Sequence, residues 1–167
     1  MKKWILLTMS LILVFSLTAC GQAEAPKENV QLANPYGTYE TAEEMQEAAG
    51  LEANLPTNLP DWVTETVYRA IPREMIEVIY AGGSNEIRVR IKNGSEDISG
   101  VYDAYTKEGK DISVGENTVH LKGTTQEDGS FLVFVSTWHT LDGRTYSVTS
   151  REGVEQSVLL PILEQVT

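Results

Sequence analysis

The chain has 167 residues, with 13 Lys and Arg against 24 Asp and Glu, a formal charge of −11. Leaving out Lys2 and Lys3, which fall in a leader, 11 basic residues face 24 acidic ones and the charge is −13. So acidic a surface excludes nucleic acid, whose phosphates need a basic patch, and argues against lying flat on anionic lipid.

Residues 1–19 read as a cleaved secretory signal peptide. Lys2 and Lys3 give the positive start, Trp4 to Leu17 the apolar core, and Thr18-Ala19 the small residues before the cut. The apolar run falls short of the roughly 20 residues that span a bilayer. Leu17-Thr18-Ala19-Cys20 resembles the lipobox of bacterial lipoproteins, in which Cys20 takes a diacylglyceryl thioether and becomes the mature N-terminus. Two acyl chains, palmitate for example, at about 0.8 kcal/mol per buried methylene, anchor durably where one is marginal. Cys20 is the single cysteine. Lipidation therefore leaves no thiol for disulfide, metal or redox chemistry, and the folded part must hold by packing.

Residues 20–33 form the lipidated N-terminus and a flexible tether: GQAEAPKENVQLA has a proline and no apolar periodicity. Residues 34–167 suit one domain, and no internal repeat is visible.

The first predicted element is a helix over Ala42–Ala49. Thr41-Ala42-Glu43-Glu44 is a capping box, Gly50 a C-terminal stop, and Ala42, Met45 and Ala48/Ala49 face inward. Pro56 and Pro60 then forbid a regular ladder. From Val67 the period becomes two, first over Val67–Ile71, then over Met75–Tyr80. At 86–92, Ile87, Val89 and Ile91 point one way and Glu86, Arg88, Arg90 and Lys92 the other, a half-buried antiparallel strand with one wet face. Ala81-Gly82-Gly83-Ser84-Asn85, Asp128-Gly129 and Asp142-Gly143 are hairpin turns. They bound strands at Thr118–Lys122, Ser130–Leu141 and Arg144–Ser150. From Gly153 to Val166, Val154, Val158, Ile162 and Val166 recur every four residues beside Leu159 and Leu163. This is an amphipathic helix, which Pro161 should kink or break near Ser157. The fold class is α+β: an antiparallel meander of about six or seven strands with short N-terminal and C-terminal helices packed on one face.

From Val67 onward the chain resembles a bacterial family, domain of unknown function 4367, of Firmicute lipoproteins and the extracytoplasmic parts of anti-sigma-factor-like membrane proteins. The resemblance is carried by Val67–Ile71, Ile76–Tyr80, Glu96-Asp97-Ile98-Ser99-Gly100-Val101-Tyr102-Asp103-Ala104-Tyr105, Val119–Gly123, Trp138 and Tyr146-Ser147. The Asp-Ile-Ser-Gly segment is its most specific part. The resemblance implies a sensing or interaction module outside the membrane and transfers no catalytic residue.

Candidate chemistry is sparse. Glu96, Asp97 and Asp103 flank Ile98-Ser99-Gly100, but the alternate-ligand spacing of a calcium loop is absent. Asp and Ser before Gly ordinarily shape a turn. His120 and His139 have no metal-ligand spacing and read as surface residues. No Gly-x-Ser-x-Gly elbow is present. Tyr102, Tyr105, Trp138 and Tyr146 suit either a binding groove or the core. The expected function is a non-catalytic binding or sensing module. It needs no cofactor or metal, it is lipid-anchored on the extracytoplasmic face of the cell membrane of a Gram-positive-type envelope, and its partner is an envelope protein, peptide or wall component. The interaction or turn-forming surface is Asp97, Ser99, Gly100, Tyr102, Tyr105 and Trp138. The rivals are a small extracytoplasmic hydrolase drawing Ser, His and Asp from separate strands, and a solute-binding lipoprotein.

Overall fold

The computed structural model describes residues 34–101 and 108–166; the signal peptide, Cys20, the tether, Tyr102, Asp103 and Tyr105 lie outside these residues. In chain order the elements are β1 (Gly37–Tyr39), α1 (Ala42–Ala49), β2 (Glu65–Ile71), β3 (Met75–Gly82) and β4 (Asn85–Asn93). Then come β5 (Glu108–Val114), β6 (Asn117–Thr125), β7 (Phe131–His139), β8 (Arg144–Glu155) and α2 (Gln156–Val166). Every strand pairs antiparallel in one sheet of order β1-β2-β3-β4-β8-β7-β6-β5. Two four-stranded meanders thus meet at a central β4–β8 seam. The order is symmetric about that seam, although the sequence shows no repeat.

The sheet has eight strands, more than the six or seven expected. The additions are β1, three residues long and too short to show a period, and β5. In β5 (EGKDISV) charged and small residues blur the alternation, as befits an edge strand that must not recruit another chain.

Alternation sorts the sheet into two faces. Ile76 and Val78 on β3, Ile87, Val89 and Ile91 on β4, and Val148 on β8 bury one face almost completely. The helices cover this side. α1 follows its local signals: Thr41 Oγ1 accepts the Glu44 N–H at 3.2 Å, Glu44 Oε2 accepts the Glu40 N–H, and Gly50 closes the helix at φ 65°. The left-handed region suits glycine because it has no Cβ to clash. Met45 and Ala49 are buried, and Ala42 and Ala48 half-buried.

The C-terminal helix departs from expectation. β8 runs on to Glu155, so Val154 is a buried strand residue rather than the first turn of a helix. α2 starts at Gln156 and keeps Pro161 inside it. Beginning there, the helix turns Leu159, Ile162, Leu163 and Val166 inward, while Val158 is 38% exposed. The proline-bearing stretch after α1 is pinned from this helix: Gln165 Oε1 accepts the backbone N–H groups of Thr57 at 2.8 Å and Asn58 at 3.0 Å. Those amides have no strand to pair with, so a side chain supplies the acceptor.

Candidate functional site

On the face away from the helices, Glu77 occupies the middle of β3. Cross-strand register sets Arg69 of β2 on one side of it and Arg90 of β4 on the other. Glu77 is fully buried, with Arg90 Nε donating to Oε2 at 2.7 Å, Arg69 Nη1 at 3.2 Å from Oε1 and Arg88 Nη1 at 3.6 Å from Oε2. A carboxylate stripped of water is tolerable only among such opposite charges. The ring of Tyr36 lies 4.3 Å from the Arg69 guanidinium, and burial, then the Glu77 charge, pushes its hydroxyl pKa up. This corrects the expected wet face at 86–92: alternation holds, but Arg90 is only 12% exposed in its side chain and belongs to an internal charge cluster.

The segment after β4 folds over this cluster. Arg90 Nη1 donates to the carbonyls of Ile98 at 2.9 Å and Ser99 at 2.6 Å, burying both residues. Asp97 Oδ1 accepts the Ser99 N–H at 2.8 Å, which holds its carboxyl below the usual range, and Ser99 Oγ accepts the Val101 N–H at 3.3 Å. Gly100 has φ 64°, and a Cβ there would come within 2.5 Å of Arg90 Nη1. Backbone conformation and the passing guanidinium therefore both demand glycine. Glu96 turns to Lys92 Nζ at 2.9 Å, a nitrogen shared with Glu74 at 3.0 Å. Of the carboxylates weighed as a cation loop, Glu96 and Asp97 thus have separate partners, and Asp103 lies outside the described residues. Among the described residues no three His, Cys, Asp or Glu side chains gather as metal ligands.

The helix side carries a cleft of about 830 Å³ between the end of α1 and β8, lined by Glu43, Gln46, Glu47, Glu52, Arg144 and Tyr146 among others. Arg144 is fixed by donating to the Glu52 carbonyl at 2.7 Å. Tyr146 stacks on Trp138 with centroids 5.0 Å apart and planes 9° off parallel. Trp138 is 2% exposed, so this aromatic backs the cleft wall as core rather than standing on a surface. The anticipated grouping is therefore divided. Asp97, Ser99 and Gly100 belong to the covering segment on one face, Trp138 to the core on the other, and Tyr102 and Tyr105 lie outside the described residues.

Both histidines lie on the face opposite the helices. His120 Nδ1 meets Asp111 Oδ1 at 2.7 Å across the β5–β6 pair, both groups well exposed, and His139 Nδ1 meets Thr145 Oγ1 at 2.7 Å. Sequence reasoning missed the Glu77 cluster. Its signal was present: a glutamate between Ile76 and Val78 in a strand apolar on both sides, facing a neighbour that carries Arg88 and Arg90 at alternate positions.

No family model, no curated protein and no solved structure matches the chain.

Proposed function

We propose that this protein is a non-catalytic binding or sensing module, lipid-anchored through Cys20 on the extracytoplasmic face of the cell membrane, akin to the extracytoplasmic family it resembles. The observation that carries this reading is the cleft of about 830 Å³ beside α1. Its size falls in the usual range of ligand sites, roughly 300–1,000 Å³. Glu43, Glu47 and Glu52 contribute acceptors, and Arg144 with Tyr146 contributes a donor and a flat wall. Such a lining suits a ligand that presents amines and hydroxyls, as an envelope peptide or wall fragment does. A hydrolase would need base and nucleophile around one substrate. His120 and His139 belong to the opposite sheet face, which favours binding over hydrolysis.

The test is site-specific photo-crosslinking in intact cells, with the reactive residue at Glu47 in the cleft or at Glu127 in the distant β6–β7 hairpin. A discrete adduct from position 47 that is absent from position 127 is the expected result. The same adducts from both positions, or none from 47, would remove the cleft from consideration.

A further inference from the structure

Four of the six arginines of this acidic chain gather on the sheet face away from the helices. Arg69, Arg88, Arg90 and Arg151 surround two carboxylates, Glu77 and Glu86, so four positive charges face two negative ones with a surplus of two. Beside them is a recess of about 200 Å³ whose lining includes Arg88, Arg90, Ser99, Thr149, Ser150 and Arg151. Register builds it: Arg88 on β4 stands opposite Thr149 on β8, with Arg151 two residues further along β8.

Inside this group the arginines are not equivalent. Arg90 is committed to Glu77 and to the covering segment. Arg88 donates from Nη2 to Glu86 at 2.5 Å, its Nη1 lies 3.6 Å from Glu77 Oε2, and its Nε has no hydrogen-bond partner among the described residues. Arg151 donates from Nη2 to Glu86 at 2.9 Å and is otherwise 60% exposed in its side chain. Glu86 therefore holds two guanidinium groups side by side while using one nitrogen of each. The donors that remain, above all on the exposed Arg151, form with the Thr149 hydroxyl a polar and positive lining. Paired guanidinium forks of this kind match the oxygens of a phosphate. The recess is smaller than a usual site for a whole drug-sized ligand, so it suits a single anionic group.

We infer that this recess binds a phosphate group, either of a small soluble phosphate ester or of a lipid headgroup. Arg88 and Arg151 contact its oxygens, Thr149 adds a hydroxyl donor, and Arg90 positions the covering segment. The site lies apart from the cleft beside α1 and stands or falls independently of it.

The experiment uses the full ¹⁵N-labelled chain, purified from membranes in non-ionic detergent and titrated at constant ionic strength with inorganic phosphate and with glycerol phosphate. Saturable amide shifts at Arg88 and at Thr149 to Arg151 are expected. The double variant Arg88→Gln/Arg151→Gln should weaken them at least tenfold. Arg73→Gln, which removes one exposed arginine from the β2–β3 turn, should leave them unchanged. The single variant Arg151→Gln alters only an exposed side chain, and it should weaken binding severalfold even if the double variant fails to fold. A second arm compares the chain in neutral vesicles with the chain in vesicles containing phosphatidylglycerol. The same amide shifts on the anionic vesicles identify a headgroup source; shifts with glycerol phosphate alone identify a soluble one. Shifts that rise linearly without saturating, or that fall equally in Arg73→Gln, would reduce the site to general ionic attraction and overturn the proposal. So would the lack of response to every phosphate probe.

Discussion

Arg90 Nε donates to Glu77 Oε2 across 2.7 Å while the same guanidinium, through Nη1, holds the carbonyl oxygens of Ile98 and Ser99. One side chain thus neutralises a buried carboxylate and fastens the covering segment over it. Glu77→Gln keeps the volume but leaves three arginines without their shared anion. Breaking a buried pair usually costs 3–5 kcal/mol, and because the arginines retain some water the expected loss is about 3 kcal/mol. Arg69→Gln, at the more exposed side of the cluster, should cost about 1 kcal/mol. Urea midpoints of the two variants check the order; equal losses would show that Glu77 is not the hub.

Strand β4 separates its two faces by substitution. Val89 is fully buried, so Val89→Asp places an unpaired charge in the core and should cost several kcal/mol. Arg88→Ser gives up a charge-assisted bond to Glu86 at a part-exposed position, and about 1 kcal/mol is expected. Denaturant midpoints decide, and similar losses for the two would mean that the register is misassigned.

Acid should loosen the covering segment in a defined direction. The Ser99 N–H bond, offset in part by burial, holds the Asp97 pKa below its ordinary 3.8. A carboxyl depressed in the folded state contributes stability that is complete above the unfolded value and is lost as pH falls through the folded one. Hydrogen exchange at Ser99, followed from about pH 5 to about pH 2 and corrected for intrinsic rates, should show protection falling at the acid end. Asp97→Asn retains an acceptor but cannot titrate, so its protection should be flatter over this range. Asp97→Ala should lower stability by about 0.5–2 kcal/mol, as for a lost cap.

Helix α2 offers a neighbouring pair with opposite outcomes. Leu159 is 2% exposed and Val158 38%. Leu159→Ala should cost about 2–5 kcal/mol, whereas Val158→Ala should stay within about 0.5 kcal/mol. Thermal melts of both variants test whether the helix begins at Gln156 rather than Gly153. A larger loss at Val158 would restore the earlier start.

The anchor has its own readout. Mature protein from the membrane fraction should begin at Cys20 with lipid on its sulfur, and Cys20→Ser should yield uncleaved precursor or protein released into the medium. Intact mass spectrometry answers both points; an unmodified thiol at Cys20 would rule the anchor out.

The sequence by itself determined those features whose causes lie within a few residues. Thr41, Glu44 and Gly50 bound α1 because capping bonds span one helical turn. Ile87, Val89 and Ile91 separate from Arg88, Arg90 and Lys92 because side chains on a strand alternate. Asp97-Ile98-Ser99-Gly100 forms a turn because its acceptors reach backbone groups two residues on. Only the tertiary structure decided what lies opposite what. The seam that pairs Ile87 with Ser150, the three arginines around Glu77, and the extension of β8 through Val154 all depend on partners distant in the chain. In β8 the local four-residue spacing from Val154 favoured a helix, and pairing with Val133 on β7 overrode it. An apolar period reports that a face will be buried; the element that buries it is chosen by contacts the period does not contain.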